Sequence, residues 1–201
     1  MFNLFLVDDD QDVLDSLSWM LDGLGIKTHC FSSAEAFLEQ VELSQAGIVI
    51  LDIQMPGKDG IELLHDIKHS QSPLSVIMLS GHGTISMAVQ AIQQGAIDFI
   101  EKPVDGDKLL QLLKRAQNET ETAYSHLNQQ SDINQRLASL TAREHEVLLK
   151  VLEGKLNKVI AAELNIAQRT IELHRQKVMQ KMQVHNIAEL AFIIAKSESI
   201  Q

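Results

Sequence analysis

Short apolar runs alternate with amphipathic stretches along the first 125 residues, and this alternation strongly limits the possible folds. The runs are too short for helices and predict buried strands; they are Leu4–Val7, Thr28–Phe31, Ile48–Leu51, Val76–Leu79 and Ile97–Ile100. Strands that alternate strictly with helices imply a parallel sheet covered on both faces. The sequence therefore predicts an α/β, flavodoxin-like (βα)5 fold. Its ligand site should lie at the carboxyl ends of the strands.

The helical stretches carry two local predictions. Ser32 and Glu35 have the spacing of a capping box, which would start the second helix. In the fourth helix, apolar residues at helical spacing predict the face that packs on the sheet; they are Ile85, Ala88, Ala91 and Ile92.

The chain changes character after about residue 117. From Gln117 to Gln135 it is rich in polar residues but keeps apolar residues at three- and four-residue spacing, without Pro or Gly. This stretch either continues the fifth helix or forms a flexible polar linker. After residue 137 only helical patterns remain, opened by a capping box at Thr141–Glu144. We therefore predict a domain at 1–120, a linker at 121–136 and a small all-α four-helix domain at 137–201.

The charge differs sharply between the two parts. The net charge is −10, but residues 1–136 hold 8 Lys/Arg against 20 Asp/Glu, and residues 137–201 hold 9 against 7. The C-terminal part is thus free to meet phosphates. A single cysteine, no apolar run long enough for a membrane span and no signal-peptide pattern at the start predict a cytoplasmic protein without a membrane partner.

Acidic residues follow two predicted strands that are neighbours in this fold. Asp8–Asp10 come directly after the first strand and Asp52 ends the third. Carboxylates brought together repel each other unless a cation intervenes, and Mg²⁺ suits such a site because it keeps waters and a phosphate as further ligands. Ser80 ends the fourth strand and Lys102 follows the fifth. These groups together are those that phosphoryl transfer to Asp52 requires.

Each of these features has an ordinary explanation when taken alone. An acidic triplet is more often a solvated turn, and an Asp at a strand end more often caps a helix. The order along the chain favours chemistry: acids after strand one, Asp after three, a hydroxyl after four and Lys after five.

A helix-turn-helix pattern lies in the C-terminal part. Asn157–Leu164 predicts a short helix, Asn165–Ala167 a turn, and Gln168–Met182 a longer helix that could enter a major groove. Its outward side carries groups able to meet phosphates or base edges; they are Gln168, Arg169, Glu172, Arg175, Gln176 and Lys177. The pattern alone also fits an ordinary charged helix face.

Four motifs resemble the receiver domains of response regulators over residues 2 to about 120. They are Asp8–Asp10, Leu51–Gly57, Ser80–Gly83 and Asp98–Pro103. The resemblance implies that Asp52 accepts phosphate from a sensor histidine kinase and that Asp9, Asp52 and the Gln54 carbonyl hold Mg²⁺, with Asp8 assisting through water. It also implies roles for residues around the phosphate: Lys102 contacts the phosphoryl group, Ser80 and Phe99 act as the switch, Lys102–Pro103 is a cis peptide, and Gln54 and His82 flank the access route.

Residues 137–198 resemble LuxR-type DNA-binding domains, through Leu140–Leu148, Asn157–Ala161 and Arg169–Arg175. Together with the receiver motifs this is similar to the NarL/FixJ family, nearer its FixJ branch. The resemblance places Gln168–Lys177 on the recognition helix and implies phosphate contacts from Lys158 and Thr170. Where the family has a Ser N-cap, this chain has Ala167, which predicts a weaker start to that helix.

The expected function is a DNA-binding transcriptional regulator, switched by phosphorylation and not an enzyme beyond its own phosphoryl chemistry. Expected partners are the kinase, promoter DNA, RNA polymerase and a second copy; Met87, Ala91 and Gln94 are the dimer candidates. One alternative is a C-terminal module that docks a protein instead of DNA. Another is a phosphatase of the haloacid dehalogenase type, which is disfavoured because Gln54 stands where that mechanism needs a second acid.

Overall fold

The computed structural model describes residues 2–81 and 84–198, so His82 lies outside the described residues. The chain divides into two compact units, residues 1–125 and 126–201. Within the described parts, no helix is both long and apolar enough to cross a membrane.

The first unit is built on a parallel sheet with the strand order β2-β1-β3-β4-β5. The strands are β1 (Asn3–Val7), β2 (Thr28–Phe31), β3 (Gly47–Asp52), β4 (Ser75–Ser80) and β5 (Asp98–Glu101). Each predicted strand is present, with ends that differ by at most one residue. Val7 pairs with Leu51, so the residues that follow β1 lie beside the end of β3. The predicted flavodoxin-like fold is confirmed.

Helices cover both faces of this sheet. They are α1 (Gln11–Asp22), α2 (Ala34–Gln40), α3 (Gly60–His69), α4 (Ile85–Gln93) and α5 (Gly106–Ala138). One core contains Leu14 and Leu21 of α1 and Leu109 and Leu113 of α5. The core on the opposite face contains residues of α2, α3 and α4, including Phe37, Leu63 and Ala91. Strands β3 and β4 are buried along their whole length, as sheets covered on both faces require.

The capping box predicted for α2 is wrong by one residue. Ser33, not Ser32, is the N-cap, and its hydroxyl accepts a hydrogen bond from the Ala36 amide. The Glu35 carboxylate accepts a hydrogen bond from the Lys58 amide, 3.0 Å away in the loop after β3. The side chain expected to close the helix start therefore holds a neighbouring loop.

The predicted inward face of α4 is right at Ala91 but wrong at both isoleucines. Ile85 and Ile92, expected to pack inward, are 87% and 46% exposed, whereas Ala91 is fully buried. Ala91 therefore has no surface to offer a second copy, and Met87 packs against the core. The helix has apolar residues on every side, so periodicity could not choose the buried face.

The second unit is helical. The fifth helix runs without a break through residues 121–136 to Ala138, and α6 (Ala142–Leu152), α7 (Asn157–Leu164), α8 (Gln168–Met182) and α9 (Ile187–Glu198) follow. The Thr141–Glu144 capping box is present. The core is aliphatic and includes Val147, Ile160, Ile171 and Leu190. The predicted small all-α domain with a helix-turn-helix is thereby confirmed.

Candidate functional site

The carboxylates of Asp8, Asp9 and Asp52 converge at the carboxyl edge of the sheet. Asp8 and Asp52 are buried, at 3% and 5% exposure, and Asp9 is exposed. One oxygen from each lies within 4.8 Å of the other two. These hard oxygen donors, with one open side, fit the ligand preference of Mg²⁺.

Lys102 bridges the two buried carboxylates. Its Nζ lies 2.6 Å from Asp8 Oδ2 and 2.7 Å from Asp52 Oδ1. The Lys102 amide donates to the Ser80 carbonyl at 2.8 Å, which fixes the backbone just past β5 against the end of β4. The Lys102–Pro103 peptide is cis, as predicted. The lysine therefore supplies the positive charge at the point where the carboxylates meet.

The environment shifts the acid–base behaviour of both groups. Burial raises the pKa of Asp52 above its ordinary value, and the nearby Asp8 charge raises it further, against the lowering effect of Lys102. For Lys102, burial works to lower the pKa, but the hydrogen bonds to Asp52 and Asp8 outweigh it and the net shift is upward. Lys102 is therefore held as a cation, which suits a group that meets phosphate.

The backbone after Asp52 is tightly constrained. Asp52 Oδ2 accepts a hydrogen bond from the Gln54 amide at 2.8 Å, and the Ile53 amide donates to the Leu79 carbonyl at 3.0 Å. A Cβ on Gly60 would lie 2.0 Å from the Asp52 carbonyl oxygen, so α3 can start beside Asp52 only with glycine there. Sequence reasoning missed Gly60, although a glycine at the start of a predicted helix is an unusual choice that could have signalled it.

The two predicted switch residues lie on adjacent strands. Ser80 is buried at the end of β4. Phe99 in β5 is half-buried and packs against the core on the α3 and α4 face. Since β4 pairs with β5 through Met78 and Phe99 and through Ser80 and Glu101, Ser80 lies two residue pairs along the ladder from Phe99.

The helix α8 presents most of the predicted DNA-contacting residues outward. The exposed ones are Gln168, Arg169, Glu172, Gln176 and Lys177, together with Lys158 on α7. Thr170 and Arg175 are half-buried. Arg175 donates from its guanidinium to Asn157 Oδ1 at 2.9 Å, so it joins α8 to the start of α7. Asn157 is a positioning residue that sequence reasoning missed.

One apolar residue interrupts the polar face of α8. Leu173 is 54% exposed and lies one helical turn from Arg169 and Gln176. The predicted contact set contained only polar residues, so Leu173 was missed. An exposed apolar side chain on a groove-reading helix is suited to the methyl group of thymine.

The first turns of α7 and α8 lack side-chain caps. Their N-cap residues are Leu156 and Ala167, and neither makes a side-chain hydrogen bond to the helix. By contrast, the Thr141 hydroxyl oxygen caps α6 by accepting a hydrogen bond from the Glu144 amide. Helix α8 nevertheless begins at Gln168, as predicted. Amides left open at a helix start are donors that a phosphate can accept from.

A buried ion pair joins α6 to α8. Lys181 Nζ lies 2.6 Å from Glu144 Oε2 and donates to the Ser139 carbonyl at 2.8 Å. The Lys181 ammonium, with the Thr141 amide, lowers the pKa of Glu144 to about 2. This pair fixes the C-terminal half of α8 while its N-terminal half stays exposed.

Comparison with known proteins matches both units. Residues 4–114 match the response regulator receiver domain, and residues 138–194 match the luxR family of bacterial regulatory proteins. The transcriptional regulatory protein FixJ of Bradyrhizobium diazoefficiens is 40% identical over 188 residues, which cover 94% of this chain and 92% of FixJ. The structure of the response regulator StyR superposes with a TM-score of 0.83 at 34% identity, covering 96% of this chain and 98% of that one. Full-length FixJ from B. japonicum gives a TM-score of 0.58 at 38% identity over 100% of this chain and 98% of that one.

Proposed function

Because the chain belongs to the NarL/FixJ family of response regulators, in which a receiver domain is joined to a LuxR-type DNA-binding domain, we propose that phosphorylation of Asp52 controls its binding to promoter DNA. The observation that carries this is the pairing of Lys102 with Asp52 and Asp8 at 2.7 and 2.6 Å. We assign residues 1–120 to the receiver, 121–136 to the linker and 137–201 to the DNA-binding domain. The protein would act in the cytoplasm.

The reaction needs an ionised Asp52 and a phosphohistidine donor. An Asp52 oxygen forms a bond to phosphorus while the bond from phosphorus to the donor imidazole nitrogen breaks. The donor ring carries a proton on its second nitrogen, so the products are an acyl phosphate and a neutral histidine. Lys102 offsets the charge of the transferred group. Asp9, Asp52 and the Gln54 carbonyl would hold Mg²⁺, with Asp8 assisting, and the ion would neutralise phosphoryl oxygens. Gln54 offers no second acid for turnover, so the reaction stops at the acyl phosphate, apart from slow self-hydrolysis.

The sensor kinase would dock beside α1. A depression lined by Ser16, Met20 and Lys102 reaches the lysine of the acidic site, and Trp19, 83% exposed, precedes Met20 on the same helix. An exposed tryptophan next to an opening on the acceptor site is suited to anchor a partner helix.

The output of phosphorylation would be dimerisation through α4 and β5. Ile85, Val89 and Ile92 on α4 are 87%, 49% and 46% exposed and replace the earlier candidates as the apolar contact. The phosphoryl group carries about −1.5 to −2 charge and new acceptor oxygens, and it replaces the single negative charge of the Asp52 carboxylate. Ser80 ends β4 and Phe99 lies in the adjacent strand β5. These two side chains would pass the change to α4.

The dimer would bind DNA through α8. Arg169 and Lys177 can meet phosphates or guanine, Leu173 can contact thymine, and the open amides at the start of α7 and α8 can donate hydrogen bonds to backbone phosphates. Two copies double the phosphate contacts, which matters for a domain whose charge is close to neutral. An activator of this kind would then contact RNA polymerase.

The test is the solution mass of the full chain by light scattering with Mg²⁺, before and after beryllofluoride, which mimics the phosphoryl group. We expect a shift from monomer to dimer and tighter binding to promoter DNA, both absent in D52A. If D52A responds like the wild type, Asp52 is not the acceptor. If the wild type binds DNA more tightly with no change of mass, dimerisation is not the output.

A further inference from the structure

Two histidines form a stacked pair on the exposed side of α3. His65 and His69 are four residues apart, one turn along the helix, and both are exposed. Their rings are nearly parallel, with an interplanar angle of 8° and centroids 5.8 Å apart. Neither residue takes part in the chemistry at Asp52, since that chemistry rests on residues at the strand ends.

The spacing places two imidazoles where one ion can reach both. Side chains at i and i+4 project from the same face of a helix, and two histidines at this spacing on one helix face bind zinc in metalloproteases. Because both rings project in parallel from the same face, small rotations about their side-chain bonds can turn one nitrogen of each toward a shared ion.

A carboxylate next to the pair strengthens it as a ligand set. Asp66 Oδ1 lies 3.8 Å from His65 Nδ1. Histidines that bind metals usually direct their second nitrogen to a carboxylate, which fixes the ring and raises its basicity. Asp66 is itself held by an ion pair with Lys58. Asp66 thus lies within ion-pair distance of Nδ1 but beyond hydrogen-bond distance, and a small side-chain rotation would bring the two into contact and leave Nε2 for a ligand.

We propose that His65 and His69 form a binding site for a divalent transition-metal ion on the exposed face of α3. Imidazole ligands select nickel, copper, zinc and related ions and disfavour Mg²⁺, which prefers oxygen. The site is thus chemically distinct from the carboxylate site at Asp52. Two protein ligands leave the remaining coordination positions to water or to a group from a partner molecule.

The experiment titrates Ni²⁺ into the full chain by calorimetry, with Mg²⁺ present in excess to occupy the carboxylate site. The variants are H65A, H69A and D66N, and H145A is the matched control, an exposed histidine on α6. We expect one Ni²⁺ site in the wild type and in H145A, and no saturable site of that affinity in H65A or H69A. In D66N the affinity falls about tenfold, the lower end of what an outer-shell partner contributes.

Paramagnetic broadening by Ni²⁺ in NMR spectra locates the ion independently. The ring signals of His65 and His69 should broaden together before those of His145, while amide signals near Asp52 keep their intensity. All four substitutions change exposed or half-exposed side chains, and far-UV circular dichroism confirms that each variant is folded. Unchanged Ni²⁺ affinity in both H65A and H69A, or broadening centred on another histidine or on Asp52, would overturn the proposal.

Discussion

Asp52 illustrates how a functional residue is held at a cost to the fold. Its carboxylate is buried beside that of Asp8, and the Lys102 ammonium forms an ion pair with both. A carboxylate whose pKa burial has raised is less stable when ionised than it would be in water. The proposed role of Asp52 as phosphate acceptor needs that charge and gives a reason for the fold to keep it.

The substitution D52N should therefore stabilise the protein against unfolding at neutral pH. With the pKa of Asp52 raised in the folded state, its destabilising effect is full above that pKa and disappears as the pH falls to the unfolded-state value near 3.8. Urea denaturation of wild type and D52N across this range is the measurement. If the extra stability of D52N over the wild type increased toward low pH, the expected sign would be contradicted.

Glu144 shows the opposite sign. Its pKa is lowered to about 2 from an ordinary value of 4.5, so its pairing with Lys181 stabilises the fold above pH 4.5. This contribution is lost as the pH falls from 4.5 toward 2. We expect hydrogen-exchange protection of α6 to decline through that window in the wild type. In E144Q, protection is lower at pH 7 and flat through the window; a decline of equal size in E144Q would assign it to another group.

At the level of single residues, strand ends were the best guide to the site. Asp8, Asp52, Ser80 and Lys102 were predictable because parallel strands place their carboxyl ends at one edge. The roles of Gly60, Asn157 and Glu35 were not. Each depends on a contact with a distant segment, and such contacts leave no local periodicity in the sequence.

Among the helices, α4 and α8 show where pattern reasoning works and fails. The buried face of α8 was predicted correctly, with Ile171 and Val178 buried, although the exposed Leu173 on the opposite side was missed. In α4 apolar residues surround the axis, so burial was decided by packing on the sheet. In the sequence, an exposed apolar surface that binds a partner cannot be distinguished from a surface that packs in the core.

The start of α8 can be tested with A167S. A serine at this N-cap can accept a hydrogen bond from the first turn and should stabilise the helix by about 0.5–2 kcal/mol. Thermal unfolding measured without DNA reports the change. Ala167 makes no side-chain cap, and valine, which cannot accept a hydrogen bond, ranks with alanine as an N-cap, so A167V should give no gain; equal gains in the two variants would rule out capping as the cause.

Two neighbouring substitutions separate the roles of the α8 surface. R169A should weaken DNA binding and reduce the slope of log K against log salt by about 1 if Arg169 contacts a phosphate. L173A should weaken binding by about 1–3 kcal/mol at sites with thymine in register and leave the slope unchanged. Fluorescence anisotropy over a range of salt distinguishes them. A changed slope in L173A would mean that the helix has shifted on the duplex.

For the whole molecule, the exposed apolar residues of α4 predict that the unphosphorylated protein is a monomer and the phosphorylated protein a dimer. V89D places a charge in the proposed contact and should weaken the beryllofluoride-dependent dimer at least about tenfold, because an unpaired charge is costly to bury. Light scattering gives the mass. Trp19, exposed on α1, offers the control: W19D should leave the dimer intact, and loss of the dimer in both variants would point to general disruption.

The uncapped starts of α7 and α8, at Leu156 and Ala167, leave backbone amides whose hydrogen-bond acceptors the DNA duplex would supply. In the free protein, water must satisfy the first amides of α7 and α8. Backbone phosphates would take over those bonds on binding, so binding to the operator would also stabilise the two helix starts. We then expect the melting temperature of residues 126–201 to report promoter occupancy directly, rising with operator concentration as ligand linkage requires.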